Sequence, residues 1–292
     1  KKEEKTYMFR DFHDHNRFDF PDGLVRVTAG FGGESILFFG SEKTALFDCG
    51  MAYCGEELVQ NIKEAIKRQE KKDGSARTLD YVMLSHTHYD HAGGIPYLRR
   101  CWPELIVFGA AHGKAVFERP GAIKTIRTLG IAAEKYYGQG DPQKIIIEGL
   151  YIDKVIEEGD NISLGKEYIT VLETKGHTDC SLSFVAEPGG LMFTSESTGV
   201  LEKPGVIHAA VLKNCIDSRK SLDKCRKYKA KRIVSPHYGI IPAYYNEEYW
   251  DLYEKAMEHE EMFIKKLHEK GLSAEEMLKE YGRKFGRKVL GI

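Results

Sequence analysis

Ten residues constrain this chain more than anything else in it: Ser85-His86-Thr87-His88-Tyr89-Asp90-His91-Ala92-Gly93-Gly94. Three histidines and an aspartate fall within six positions. They follow directly on the apolar run Tyr81-Val82-Met83-Leu84, which reads as a short buried strand. A loop leaving a strand end can splay such side chains toward two points instead of one. Imidazole and carboxylate donors suit zinc, and also iron or manganese. Gly93-Gly94 lets the chain turn tightly into a following helix. A polar surface loop has no reason to place four ligand-type side chains at this spacing.

The surrounding sequence divides into two regimes. Residues 1–243 alternate short β-rich runs with helical stretches, and residues 244–292 read as nearly all helix. In the first part, strands are expected at 24–27, 35–39 and 44–47, with turns at Gly32-Gly33 and Gly40-Ser41-Glu42-Lys43. Leu58, Ile62, Ala65 and Ile66 have the spacing of an amphipathic helix over 56–70. A helix over 95–100 and a strand over 105–108 follow. Residues 110–150 read as a helix-rich insertion near the motif, broken at Pro120-Gly121 and at 138–142. A second β-rich block has strands at 169–173, 182–185 and 191–194. It continues into a helix over 218–228 and a strand over 232–235. This strand–helix alternation, repeated twice, suggests sheets covered by helices. In the tail, one long helix is expected over 247–270, ended by Gly271, and Ser273-Ala274-Glu275-Glu276 is a capping-box pattern opening a last one.

Composition narrows the function classes. The 292 residues carry 43 Lys+Arg against 44 Asp+Glu, a net charge of -1. That balance gives no electrostatic footprint for nucleic acid or an anionic membrane. With 42% hydrophobic residues, a sizeable core is expected and disorder is not. No apolar run reaches the roughly 18 residues of a membrane span, and Lys1-Lys2-Glu3-Glu4-Lys5 is not followed by the apolar stretch of a signal peptide. The six cysteines are scattered, without a CxxC pair, and read as free thiols in a reducing, cytoplasmic setting.

The motif resembles the HxHxDH signature of the metallo-β-lactamase superfamily, with His86, His88, Asp90 and His91 in its positions, and the resemblance spans most of residues 20–240. Later family positions are met in order. Gly176-His177-Thr178 looks like the next histidine, Met192-Phe193-Thr194-Ser195-Glu196 like the strand ending in the bridging carboxylate, and Ser235-Pro236-His237-Tyr238-Gly239 like the last histidine. The resemblance implies an α/β (α+β) fold, a four-layer αβ/βα sandwich with ligands at one edge of two sheets, here with a C-terminal helical appendage. It implies two divalent metal ions, zinc first and iron or manganese as alternatives. His86, His88 and His177 would hold one and Asp90, His91 and His237 the other, with Glu196 between. The family usually has Asp where Glu196 stands. The extra methylene adds about 1.5 Å of reach, against a tolerance of about 0.2 Å in metal–ligand bonds. Either the backbone retreats or Glu196 serves one metal only.

The activity implied is hydrolysis by a metal-activated hydroxide, with Asp90 orienting it, on a small ester, lactone or thioester. Tyr238, beside His237, is a candidate to hydrogen-bond the substrate carbonyl, while Tyr89 reads as packing and Cys180 as a buried thiol. Two rival readings remain. One is oxygenation of a persulfide at a single iron. The other is a non-catalytic, metal-containing ligand sensor or partner-binding protein whose insertion and tail bury the pocket. His13 and His15 read as part of a polar N-terminal segment, His112 as a candidate pocket lining, His208 as a loop residue, and His259 and His268 as solvated. The tail carries Trp250, Tyr253, Met257, Met262, Phe263 and Leu267 at helical spacing. The simplest expectation is docking on the main domain. A homodimer contact, or aromatic residues from Tyr244 to Tyr253 at the pocket rim, are the alternatives.

Overall fold

The computed structural model describes residues 20–203 and 205–285; His13 and His15 lie outside them. Chain order gives the strands β1 (Leu24–Arg26), β2 (Ile36–Phe39) and β3 (Thr44–Phe47), then helix α1 (Gly55–Asp73) and strand β4 (Tyr81–Met83). Next come α2 (Tyr89–Ala92), α3 (Ile95–Cys101), β5 (Ile106–Gly109), α4 (Ala111–Phe117) and α5 (Pro120–Tyr137). Strands β6 (Lys154–Val155), β7 (Asn161–Ser163), β8 (Tyr168–Glu173), β9 (Leu182–Glu187) and β10 (Leu191–Phe193) follow, then the hairpin β11 (Val200–Lys203) and β12 (Val206–His208). The chain closes with α6 (Cys215–Tyr228), β13 (Arg232–Val234), β14 (Ile240–Ile241), α7 (Asn246–Glu269) and α8 (Ala274–Phe285).

The strands form two six-stranded mixed sheets, ordered β1-β2-β3-β4-β5-β6 and β14-β13-β10-β9-β8-β7, and the separate hairpin. Alternation along each strand sends successive side chains to opposite faces. Ile36, Phe38, Ala45, Phe47, Met83 and Phe108 of the first sheet therefore meet Val171, Phe184, Phe193 and Val234 of the second. The Phe47 and Phe193 rings stack with centroids 3.6 Å apart, joining the sheets at their middle. Leu37, Leu46, Val82 and Val107 face the other way, against Leu58 and Ile62 of α1 and Ile95 and Leu98 of α3. Val185, Met192 and Ile233 likewise face outward, against Leu222 of α6 and Tyr249, Trp250, Tyr253 and Met257 of α7. The result is the expected helix–sheet–sheet–helix sandwich with a C-terminal helix.

Two expectations need correction, and several short strands have no counterpart in the sequence reading. Strands β6, β7 and β12 escape the pattern reading because they are short and largely exposed, and β11 because only two apolar residues, Val200 and Leu201, mark it. His208 belongs to β12, its imidazole 2.6 Å from Glu202, and is not a loop residue. The tail aromatics Tyr245, Tyr249 and Tyr253 do not reach a pocket rim; they are fully buried against the second sheet. Apolar rings on one face of a long helix gain more by covering a sheet than by standing in solvent.

Candidate metal centre

Strand β4 delivers the motif. Its apolar residues are buried in the first sheet, and the chain leaves its C-terminal end through Ser85, His86 and Thr87, all buried, into the short helix α2. His91 sits on the last turn of α2. Gly33 lies so close beneath it that a Cβ there would stand 2.6 Å from the imidazole, so only glycine fits. From the other sheet, His177 follows β8 on a loop, Glu196 opens a 3-10 turn (Glu196–Thr198) just past β10, and His237 follows β13. All of these loops lie at the same edge of the sandwich because β4, β10 and β13 run their C-terminal ends toward it.

The structure brings the seven side chains into two adjoining groups. His86, His88, His177 and Glu196 form one, and Asp90, His91 and His237 the other. Glu196 touches both. Its Oε2 lies 3.2, 2.9 and 3.4 Å from the Nε2 atoms of His86, His177 and His91. Its Oε1 lies 3.4 Å from Nε2 of His237. The Asp90 carboxylate is 3.8 Å from Nε2 of His91 and 4.0 Å from that of His237.

The far nitrogens settle which atom of each ring faces inward. His177 Nδ1 donates to the Ala210 carbonyl at 2.6 Å, and His237 Nδ1 to that of Gly32 at 3.0 Å. His91 Nδ1 donates to Asp48 Oδ2 at 2.8 Å. The Ser85 hydroxyl donates to Asp48 at 2.6 Å, so it is left to accept from His86 Nδ1 at 3.0 Å. In all four rings Nδ1 carries the proton, and Nε2 turns a lone pair toward the centre, an arrangement typical of metal-ligating histidines. His88 presents Nδ1 instead, 3.0 Å from Nε2 of His177.

This geometry fits a metal. Buried nitrogens almost always have a hydrogen-bond partner, yet Nε2 of His86 and of His91 are buried without one. A cation between these lone pairs and the carboxylates satisfies all of them at once. The electrostatics agree. Burial, reinforced by the neighbouring His91 and His88, pushes His86 well below the ordinary imidazole value. Burial and His177 take His88 down to about 4. Burial also disfavours a charged His91, but Asp90 and Asp48 outweigh it and raise that ring. Burial opposes ionisation of Glu196, and the imidazoles packed around it, His177, His237 and His86, overcome it, holding this carboxyl well below its usual range. The carboxylates demand positive charge that the crowded imidazoles cannot share among themselves.

Beside His88 and His177 opens a cleft of about 420 Å³. Val116, Ile126 and Leu129 of α4 and α5 wall one side, and Leu212 and Lys213 the other. His112 lines it, as does Cys180, which is buried between Thr87 and Thr178. Tyr89 packs partly buried against the first helical layer and also faces this cleft. Tyr238 is 48% exposed beside His237, with a left-handed backbone (φ 63°).

Sequence reasoning missed Asp48, Ser85, Ser197, Ala210 and Gly32. Asp48 had a signal: an acidic residue directly after the buried strand β3, two positions before Gly50. The others act mostly through backbone atoms or small hydroxyls, which no pattern marks.

The family model of the metallo-beta-lactamase superfamily matches residues 29–237. The chain belongs to that superfamily. Among curated relatives, a metallo-beta-lactamase fold-containing protein of Sulfurisphaera tokodaii is 27% identical over 206 residues, 67% of this chain and 74% of that one. The coenzyme F420H2 oxidase of Methanocaldococcus jannaschii is 23% identical, over 56% of this chain and 33% of its own length. A hydroxyacylglutathione hydrolase of Buchnera aphidicola is 28% identical, over 43% and 36%. The chain thus spans about a third of the last two. A crystal structure of an archaeal superfamily protein from Sulfolobus tokodaii superimposes with a TM-score of 0.58 at 21% identity, covering 80% of this chain and 86% of that one, and shows the fold. Among the described residues no helix is long and apolar enough to cross a membrane, and all six cysteines are free thiols.

Proposed function

We propose that this protein is a metal-dependent hydrolase of small esters, lactones or thioesters, with two metal positions and Glu196 between them. One observation carries the reading: a single carboxylate lies within 3.4 Å of inward-facing nitrogens from both groups. His86, His88 and His177 would hold one divalent ion and Asp90, His91 and His237 the other, zinc being the first candidate for this donor set. Such ions, when bound, lower the pKa of water toward about 7 and polarise an acyl oxygen.

The chain's own groups do the rest. Asp90 stands half-buried between His91 and His237 with its carboxylate turned inward, placed to accept a proton from the attacking water and fix its lone pair toward the cleft. Asp48 and the carbonyls of Ala210 and Gly32 keep each ring in one tautomer through the reaction. The apolar wall of Val116, Ile126 and Leu129 receives the acyl portion and excludes water from it. Tyr238, exposed beside His237, is placed to donate to a substrate oxygen on the second side. The thioester branch gains weight from the relatives named as hydroxyacylglutathione hydrolases. Six free thiols support a reducing, cytoplasmic setting.

The test is metal analysis of the purified protein followed by a panel of esters, lactones and thioesters. Close to two metals per chain and turnover lost on chelation is the expected result. Turnover that survives His88→Ala would refute the assignment. A redox reading draws support from the relatives named as oxidases. It predicts iron in the protein as purified and oxygen uptake with a reduced cofactor or persulfide, without hydrolysis.

A further inference from the structure

We propose that the long C-terminal helix α7 is a positioning element of the metal centre, acting through the hydroxyls of Tyr249 and Tyr253 and the carboxylate of Glu260. This rests on the reading of Glu196 and His177 as ligands. The three residues after Glu196 have their carbonyls taken by this helix. Tyr253 Oη donates to Ser197 O at 2.6 Å, and Tyr249 Oη to Thr198 O at 2.9 Å and Gly199 O at 3.0 Å. Both tyrosines are fully buried. A buried phenol is costly unless its hydroxyl is paired, so the two rings hold the Glu196 turn in one place.

Backbone and ring also fit each other closely. Gly199 has φ +81°, and a Cβ on it would stand 2.4 Å from the Tyr253 ring. The turn leaves Glu196 by a path that only glycine can take under that ring.

The helix reaches His177 by a second route. Glu260 Oε1 accepts from Ala209 N at 3.3 Å. The next residue, Ala210, has a left-handed backbone (φ 52°) and supplies the carbonyl that accepts from His177 Nδ1. The His177 amide in turn donates to Ser197 Oγ at 3.0 Å, inside the turn that Tyr253 holds. One helix thus fixes both Glu196 and the carbonyl that orients His177.

The experiment compares Tyr253→Phe, Tyr249→Phe and the double variant with Tyr97→Phe. Tyr97 is a buried tyrosine whose hydroxyl donates to the Lys144 carbonyl, away from the centre. For each, zinc and cobalt affinities are measured by chelator competition, with the visible spectrum of the cobalt form and the melting temperature of the metal-free protein. The expected result is an affinity loss of about tenfold or more in the tail variants, with an altered cobalt spectrum. Tyr97→Phe should lower the melting temperature without changing either. The proposal is overturned if the tail variants lose melting temperature as Tyr97→Phe does while affinity and spectrum stay as in the parent. If the double variant does not fold, Tyr249→Phe alone decides, because it keeps the Tyr253 contact. A Glu196→Ala control separates the two layers: unchanged metal affinity there removes the ligand reading, and the proposal with it.

Discussion

The two halves of the centre are built differently. His86, His88, Asp90 and His91 come from one loop after one strand, and two of those rings are oriented by nearby side chains, Ser85 and Asp48. His177, Glu196 and His237 come from three loops of the other sheet, and its rings are oriented by backbone carbonyls of Ala210 and Gly32. The first half is preorganised within one sheet, where Asp48 at the end of β3 lies beside the loop that leaves β4. The second exists only once the sandwich has closed and α7 has docked. A short motif can specify ligands, but holding a centre shared between two sheets needs the whole fold.

This contrast can be broken by experiment. The largest effects should come from the ligand positions in either half. His86→Ala and His177→Ala are each expected to lower metal-dependent hydrolysis by at least about 100-fold, measured as kcat/KM on the best substrate of the panel. A selective effect of only one would mean that the halves do not work as a unit. Next, Phe193→Ala removes the ring stacked between the sheets and should cost about 3–5 kcal/mol in denaturant unfolding. Because it loosens the sheet that carries Glu196, it should also weaken metal binding, whereas a core loss confined to stability would argue that the second half is held locally.

Asp48→Ala tests the first half alone. It leaves the Ser85 amide and hydroxyl and His91 Nδ1 without their acceptor. Metal affinity should fall about 10–100-fold, and stability by about 1–3 kcal/mol, as read by chelator competition and thermal unfolding. The smallest expected effect is Ser197→Ala, which removes one acceptor from the His177 amide. A cost of about 1 kcal/mol and a severalfold loss of affinity are expected. No change in affinity would show that Tyr253 alone is enough to hold the turn.

Much of this architecture was legible beforehand. Short β-rich runs bounded by turn residues placed β2, β3, β8 and β9, and the 3.6-residue period placed α1 and α7, because buried elements leave such marks on a sequence. The HxHxDH spacing located the first half, and its resemblance located His177, Glu196 and His237 in order. The short β6, β7 and the β11–β12 hairpin were not legible, since strands of two to four residues leave too short a periodic trace. Nor was the role of the tail: an apolar helix face says that it docks, but not on what.

While His177, Glu196 and His237 were candidates only through the family resemblance, the sequence by itself determined the clustered His86, His88, Asp90 and His91, the β-rich runs and the amphipathic helices. These follow from local spacing, which the chain carries whether or not it is folded. Only the tertiary structure decided that Glu196 lies against both histidine groups, that backbone carbonyls choose the tautomers of His177 and His237, and that Tyr249 and Tyr253 grip the turn behind Glu196. Each of those depends on atoms far apart in the chain, meeting at distances of about 3 Å that no one-dimensional pattern encodes.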